Sequence, residues 1–241
     1  GLIGCLQEGG QAGGLATFLQ APDQARRLAG LWLEREPDNE DALRLAALAE
    51  IELGNGDAAA VHIDRLVKRA GSDALVPLVA EAQSLDEEGN RQLLSALSGL
   101  AERYPEEAPL WYARALDLRQ QADLEGAMKA VDHALDRQPG HQEAQLLKGQ
   151  LLFEQGEQKK ALRHLSKLVD KRPDARRPRV AYIRLLLAAR QTGKAEQQLR
   201  ILAEQNPDDL DLQYSLALIA LESGASDAAE ELLQGLLAQG Y

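Results

Sequence analysis

Residues 108–139 read APLWYARALDLRQQADLEGAMKAVDHALDRQP. Trp111, Ala115 and Leu118 recur at helical spacing in the first half, and Ala127, Val131 and Ala134 do so in the second. Residues three and four apart share one face of a helix, so each half predicts a short amphipathic helix. Gln121-Ala122-Asp123 is a polar turn between the halves, and Pro139 closes the unit because proline cannot continue a helix.

The unit recurs. Proline stands at 105, 139, 173 and 207, each 34 residues after the last. Pro37 lies two periods before Pro105, and the skipped position is Gly71, another helix breaker. Ala25, Ala59, Ala127, Ala161, Ala195 and Ala229 share a second phase, broken only by Leu93. Two markers running in step define a repeat array, in which one core is shared between neighbours.

On these residues the chain resembles the tetratricopeptide repeats, helix–turn–helix units of about 34 residues. The resemblance implies an all-α, right-handed α-solenoid of antiparallel helix pairs. In this sequence it implies a divergent first repeat with a glycine-rich leader over 1–39, then units at 40–73, 74–107, 108–141, 142–175, 176–209 and 210–241. The 74–107 unit departs from the pattern. Glu81 falls where other units carry Ala47, Ala115, Gly149 or Ala217, and Leu93 replaces the phased alanine. An unpaired charge at a close helix contact is costly, so a shifted helix contact is expected there. No polar capping helix follows Tyr241, which predicts a longer array or an end covered by another molecule, self-association included.

Aromatic residues are only 4% of the chain and Ala, Leu, Glu, Gln and Arg dominate, which favours helix over sheet. No apolar run approaches the ~20 residues that span a bilayer. The net charge of -11 argues against nucleic acid as a partner of the whole chain. The charge is uneven, with 13 Lys or Arg against three acids between Lys159 and Arg200. Within that run Arg176, Arg177 and Arg179 are read as a basic docking patch for an acidic surface.

The single cysteine, Cys5, excludes an internal disulfide and leaves both cytoplasmic and periplasmic addresses open. Leu2-Ile3-Gly4-Cys5 looks like a lipoprotein cleavage box, but the charged and apolar regions that precede such a box are absent, so Cys5 reads as a helix-packing residue. Chemistry finds no support. His62, His133, His141 and His164 lie on separate stretches without metal spacing, and no Cys–His pairing suggests a nucleophile. Neither a cofactor nor a metal is expected, and the chain reads as non-catalytic. His141 reads as a loop residue, while Trp32 and Trp111 are assigned to the core.

The family resemblance places the first helices of successive units along a concave groove. In this register the groove-facing residues are Arg44, Leu48 and Ile51, then Leu78, Ala82 and Leu85, then Tyr112, Leu116 and Arg119. Leu146, Gln150 and Phe153 follow, then Val180, Arg184 and Leu187, and Tyr214, Leu218 and Leu221 finish the row. An apolar strip with tyrosine, phenylalanine and arginine anchors suits a protein or peptide segment. The lysine and asparagine clamp by which some family members hold a terminal carboxylate has no counterpart here.

Residues 21–66, APDQARRLAGLWLEREPDNEDALRLAALAEIELGNGDAAAVHIDRL, together with the divergent third unit, are similar to a narrower group. These are Gram-negative outer-membrane tetratricopeptide lipoproteins that bind a carboxyl-terminal processing protease and deliver substrates to it. The resemblance implies a periplasmic serine protease and its substrates as partners, and a lipid anchor outside this segment. Two alternatives stand beside it: an assembly scaffold with other partners, and a regulatory repeat region of an enzyme whose catalytic domain lies elsewhere.

Overall fold

The computed structural model describes residues 21–81, 85–222, 226–238 and 240. Among these residues there are thirteen α-helices, one 3-10 turn and no strand. The chain divides into two compact units, residues 1–144 and 145–241. The first holds α1 (Pro22–Arg35), α2 (Glu40–Glu52), α3 (Gly56–Ala70), α4 (Leu75–Glu81), α5 (Glu87–Ser98), α6 (Ala108–Gln120) and α7 (Leu124–Arg137). Then come α8 (Gln142–Glu154), α9 (Gln158–Lys171), α10 (Arg176–Ala188), α11 (Thr192–Gln205), α12 (Leu210–Glu222) and α13 (Ser226–Ala238). Helices α2, α6, α8, α10 and α12 begin at 40, 108, 142, 176 and 210, in one 34-residue phase.

Four first helices, α2, α6, α8 and α10, are closed by the same backbone device. Gly54, Ala122, Gly156 and Arg190 all take positive φ, between 56° and 83°, at positions one or two periods apart. The amides that follow, of Asn55, Asp123, Glu157 and Gln191, donate back five residues at 2.8–2.9 Å, the long bond of a Schellman motif. Glycine adopts this conformation freely, whereas Ala122 and Arg190 hold it at a cost of roughly 1–2 kcal/mol each. Asn39, Asp86 and Asp123 cap α2, α5 and α7 by accepting from the amides of Ala42, Gly89 and Gly126 at 2.8–3.0 Å.

The phased alanines are all fully buried, which explains their phase: each second helix approaches its neighbours too closely for a larger side chain. Leu93, in the same slot, is also fully buried, so the divergent unit must be built differently. Its first helix, α4, is only seven residues long and follows a 3-10 turn at Gly71–Ala74. No left-handed closure occurs at the matching position, where Glu88 lies inside α5. Helix α5 instead packs on both α3 and α2. Glu81 ends α4 half-buried, whereas Ala47 and Ala115 in the matching slot are fully buried.

The proline carbonyls that end the repeats are held by side chains. Pro105 O accepts from Trp111 Nε1 at 3.0 Å and Arg137 Nε at 3.1 Å. Pro173 O accepts from Arg179 Nη2 at 2.5 Å, and Pro207 O from Gln213 Nε2 at 2.8 Å. Trp111, Arg179 and Gln213 occupy one repeat slot, six residues after the proline. That position supplies an N–H donor to a carbonyl that the ended helix leaves unsatisfied.

In the first unit a polar knot ties α3 to the segment after α5. Asp64 Oδ1 accepts from Tyr104 Oη at 2.6 Å and Arg103 Nη1 at 2.8 Å, while Oδ2 accepts from Lys68 Nζ at 2.7 Å. Burial pushes the Asp64 carboxyl up, but the Lys68 and Tyr104 hydrogen bonds and the two cations outweigh it, and the net direction is down. Burial, with the hydrogen bond to Asp64, raises Tyr104 from 10.0 to about 12. Tyr104 therefore stabilises the fold fully below pH 10, and this contribution is lost as pH rises through about 12. The Asp64 contribution is present above the ordinary carboxylate range and lost as pH falls through its depressed value. Tyr104→Phe is expected to cost about 1–2 kcal/mol at neutral pH. It should also flatten the stability loss between pH 10 and 12, read by urea unfolding; an unchanged alkaline profile would detach Tyr104 from the knot.

Candidate functional site

The groove positions of the sequence reading do not share one environment. Leu48, Ile51 and Leu78, expected on a binding surface, lie in the core of the first unit and are at most 2% exposed. The cause is the divergent repeat: α5 closes over α2, and a Cβ placed on Gly89 would stand 3.7 Å from Ile51 Cγ2. Arg44 is half-buried and paired with Asp41 at 2.5 Å. Tyr112 is half-buried with its ring 5.0 Å from that of His141, and Leu116 packs against the core. Arg119 is half-buried and already engaged.

In the second unit Leu146 and Phe153 pack partly against the core, and Gln150 is half-buried beside them in sequence. Toward α10 and α12 the same slots open to solvent. Leu187 is 38% exposed, Tyr214 39%, Leu218 42% and Leu221 48%. Arg184 is exposed in the slot that Leu218 occupies one repeat later, and no carboxylate among the described residues pairs with it. Leu187 and Leu221 share the next slot. The inward faces of these two helices carry Ile183, Leu186, Leu212, Leu216 and Ile219, which form the core. Both helices are thus apolar on two sides, and one side needs no partner within the repeat.

The basic patch needs correction. Arg179 is 3% exposed, and its guanidinium donates to Gln198 Oε1 at 2.6 Å as well as to Pro173 O. Burial lowers its pKa, and the charges of Asp174 and Asp170 partly restore it. It is a packing residue, not a docking residue. Arg176 is exposed but bonded to Asp209 Oδ2 at 2.7 Å, and Arg177 is also engaged.

The histidines serve local structure. His141 Nδ1 accepts from the Ala144 amide at 3.3 Å, which caps α8 and favours the neutral ring. Burial lowers its pKa against the pull of Glu143. His164 Nε2 lies 2.8 Å from Gln145 O, and exposed His133 stacks on half-buried Trp111 at 4.4 Å. His62 is half-buried, and burial lowers its pKa against Glu50. Trp32 is half-buried on α1. Among the described residues no three His, Cys, Asp or Glu side chains gather to hold a metal, and no helix is long and apolar enough to cross a membrane. Cys5, the glycine-rich leader, Ala82 and Tyr241 lie outside the described residues.

A stack of short helix pairs in 34-residue phase, closed by left-handed turns and packed on phased alanines, defines a helical-repeat protein. Tetratricopeptide repeat models match residues 112–176 and 183–240, and a second such model matches 152–209. The chain belongs to the tetratricopeptide repeat family, whose members generally act as protein-interaction scaffolds. It is 31% identical over 134 residues to the TPR repeat-containing protein PA4667 of Pseudomonas aeruginosa, and that match covers 55% of this chain and 22% of the relative. The chain therefore spans about a fifth of the curated relative it matches.

Solved structures share the fold at low identity. Pseudomonas aeruginosa pilF is 17% identical with a TM-score of 0.54, over 83% of this chain and 91% of that one. The Thermus thermophilus TPR protein TTC0263 is 24% identical with a TM-score of 0.52, over 76% of this chain and all of that one.

Proposed function

We propose that this chain is a non-catalytic scaffold that binds a protein segment on the open face of α10 and α12. The observation that carries the reading is the exposed apolar set Leu187, Tyr214, Leu218 and Leu221 beside Arg184, which pairs with no carboxylate among the described residues. Apolar side chains of this size at consecutive repeat slots, 38–48% exposed, offer anchors, and a segment that covers them gains roughly 25 cal/mol per Å². Arg184 sets polarity by favouring a carboxylate opposite it.

The narrower reading is that of an adaptor that presents substrates to a carboxyl-terminal processing protease at the periplasmic face of the outer membrane. It rests on the texture of residues 21–66 and on the divergent third unit. In either form the mechanism is geometric: a client held on the repeat surface meets a tethered enzyme at raised effective concentration.

The test is a crosslinked pull-down from envelope and cytoplasmic extracts, with the wild-type chain beside Tyr214→Ala/Leu218→Ala. Recovery of a protease with its substrates, lost in the variant at unchanged helicity and Tm, supports the adaptor. Recovery of other proteins, lost in the same variant, leaves the scaffold and removes the protease. Equal recovery by both chains overturns the α10–α12 surface. For a defined client the double variant is expected to weaken binding by tenfold or more, about 1.4 kcal/mol or greater, as for two anchors in an interface centre.

A further inference from the structure

Helix α9 buries Ala161, Leu162, Leu165 and Val169 and turns its other side to solvent. That outer side carries Lys159, Arg163, Lys167 and Lys171 at successive spacings of four residues, all exposed. Four-residue steps keep side chains on one flank of a helix, and the row extends about 18 Å. None of the four is ion-paired among the described residues. Lys160 is taken up by Glu157 at 3.1 Å, and the helix's single acid, Asp170, acts on buried Arg179.

This is not how the chain treats its other second helices. On α3, Lys68 pairs with Asp64 at 2.7 Å; on α7, Lys129 pairs with Glu125 at 2.7 Å; on α11, Arg200 pairs with Glu196 at 3.0 Å. Each is an acid placed four residues before a cation, the favourable order. The slots of Glu125 and Lys129 fall on Lys159 and Arg163 one period later. An attractive pair has been replaced there by a repulsive one, and Lys167 and Lys171 extend the repulsion. One repeat pair further on, the slots of Lys159 and Arg163 hold Asp227 and Glu231. A single-sign face that costs stability, in a chain of net charge -11, implies an external anion.

We propose that the outer face of α9, carried by Lys159, Arg163, Lys167 and Lys171, docks an acidic segment of another protein. Single-stranded nucleic acid fits less well, because no Phe, Tyr or Trp lies between the cations to stack a base, and His164 is half-buried against the Gln145 carbonyl. A lipid surface also fits less well, because the outer face presents no apolar residue to insert between headgroups. Three of the four cations are lysines on long flexible stems, suited to carboxylates spread along a segment and not to one forked contact. The site is separate from the α10–α12 apolar face and does not depend on it.

The test uses the whole chain and three labelled probes: a 20-residue Glu/Asp-rich peptide, a 20-nucleotide single-stranded DNA, and phosphatidylglycerol vesicles. Fluorescence anisotropy, or co-sedimentation for vesicles, is read at low and near-physiological salt. The peptide is expected to bind best, with an affinity that falls with salt and drops about tenfold or more in Arg163→Glu/Lys167→Glu. Arg26→Glu/Arg27→Glu, an equal charge change elsewhere, should bind like wild type, and so should Tyr214→Ala/Leu218→Ala. Lys159→Glu rebuilds the pair found on α7 and should weaken the peptide while raising Tm by about 1–3 °C. Tighter binding of DNA or vesicles overturns the proposal. Equal peptide binding by the α9 variant, or equal loss in the Arg26/Arg27 control, overturns it as well, as does low-salt dimerisation of the chain through this face.

Discussion

Leu48→Ala is expected to unfold the first unit at a cost of about 3–4 kcal/mol and to leave the second unit's interactions intact. Leu48 is fully buried among Leu43, Leu75, Leu78 and Leu93, and truncation removes three carbons from a cluster with no solvent to refill the space. Core leucine truncations span roughly 2–5 kcal/mol, the larger values where the site cannot collapse. Collapse is hindered here because α5, which covers the site, is itself fixed by the Asp86 cap and by the knot of Tyr104 with Asp64. The decisive comparison is Leu218→Ala in the same column of the repeat, 42% exposed, which should shift stability by less than about 0.5 kcal/mol. Urea unfolding monitored at Trp32 and Trp111, both in the first unit, reads the first variant directly. Equal and small effects for both would return Leu48 to the surface.

That contrast shows where the sequence could be read and where it could not. The prolines at 105, 139, 173 and 207 and the alanines at 25, 59, 127, 161, 195 and 229 specify helix ends and close contacts, and those are local requirements. They predict an all-α repeat fold because backbone geometry and packing distance leave few other uses for such residues at such intervals. A groove position is not a local property. It depends on what the next repeat does, and Leu48 and Leu218 are identical residues at identical slots. The divergent unit between 74 and 107 announced itself through Glu81 and Leu93, but nothing in those two residues says that α5 would move onto α2. The unpaired face of α9 had a visible signal in the cationic run from Lys159. Reading it needed the pairs on α3, α7 and α11 as a standard, and those are contacts.

Arg179→Ala is expected to cost about 3 kcal/mol, more than any other cation in the second unit, although three arginines within four residues look interchangeable in sequence. Arg176→Ala removes one exposed contact with Asp209 and should cost under about 1 kcal/mol. Arg179 is buried, and its loss leaves the Pro173 carbonyl with Gln205 alone, at 3.3 Å, and the Gln198 amide oxygen unmatched. A hydrogen bond from a charged donor contributes roughly 1.5–3 kcal/mol, and the packing of the buried stem is lost besides. The repeat itself supplies the rescue experiment. Trp111 and Gln213 occupy the slot of Arg179 and donate to their own proline carbonyls. Arg179→Gln should therefore recover part of the stability that Arg179→Ala loses, whereas Arg179→Met, which restores volume without a donor, should recover less. If methionine rescues as well as glutamine, the slot is a packing position and the carbonyl contact contributes nothing. If glutamine is better, the inter-repeat turn is held by a donor whose identity varies while its task does not.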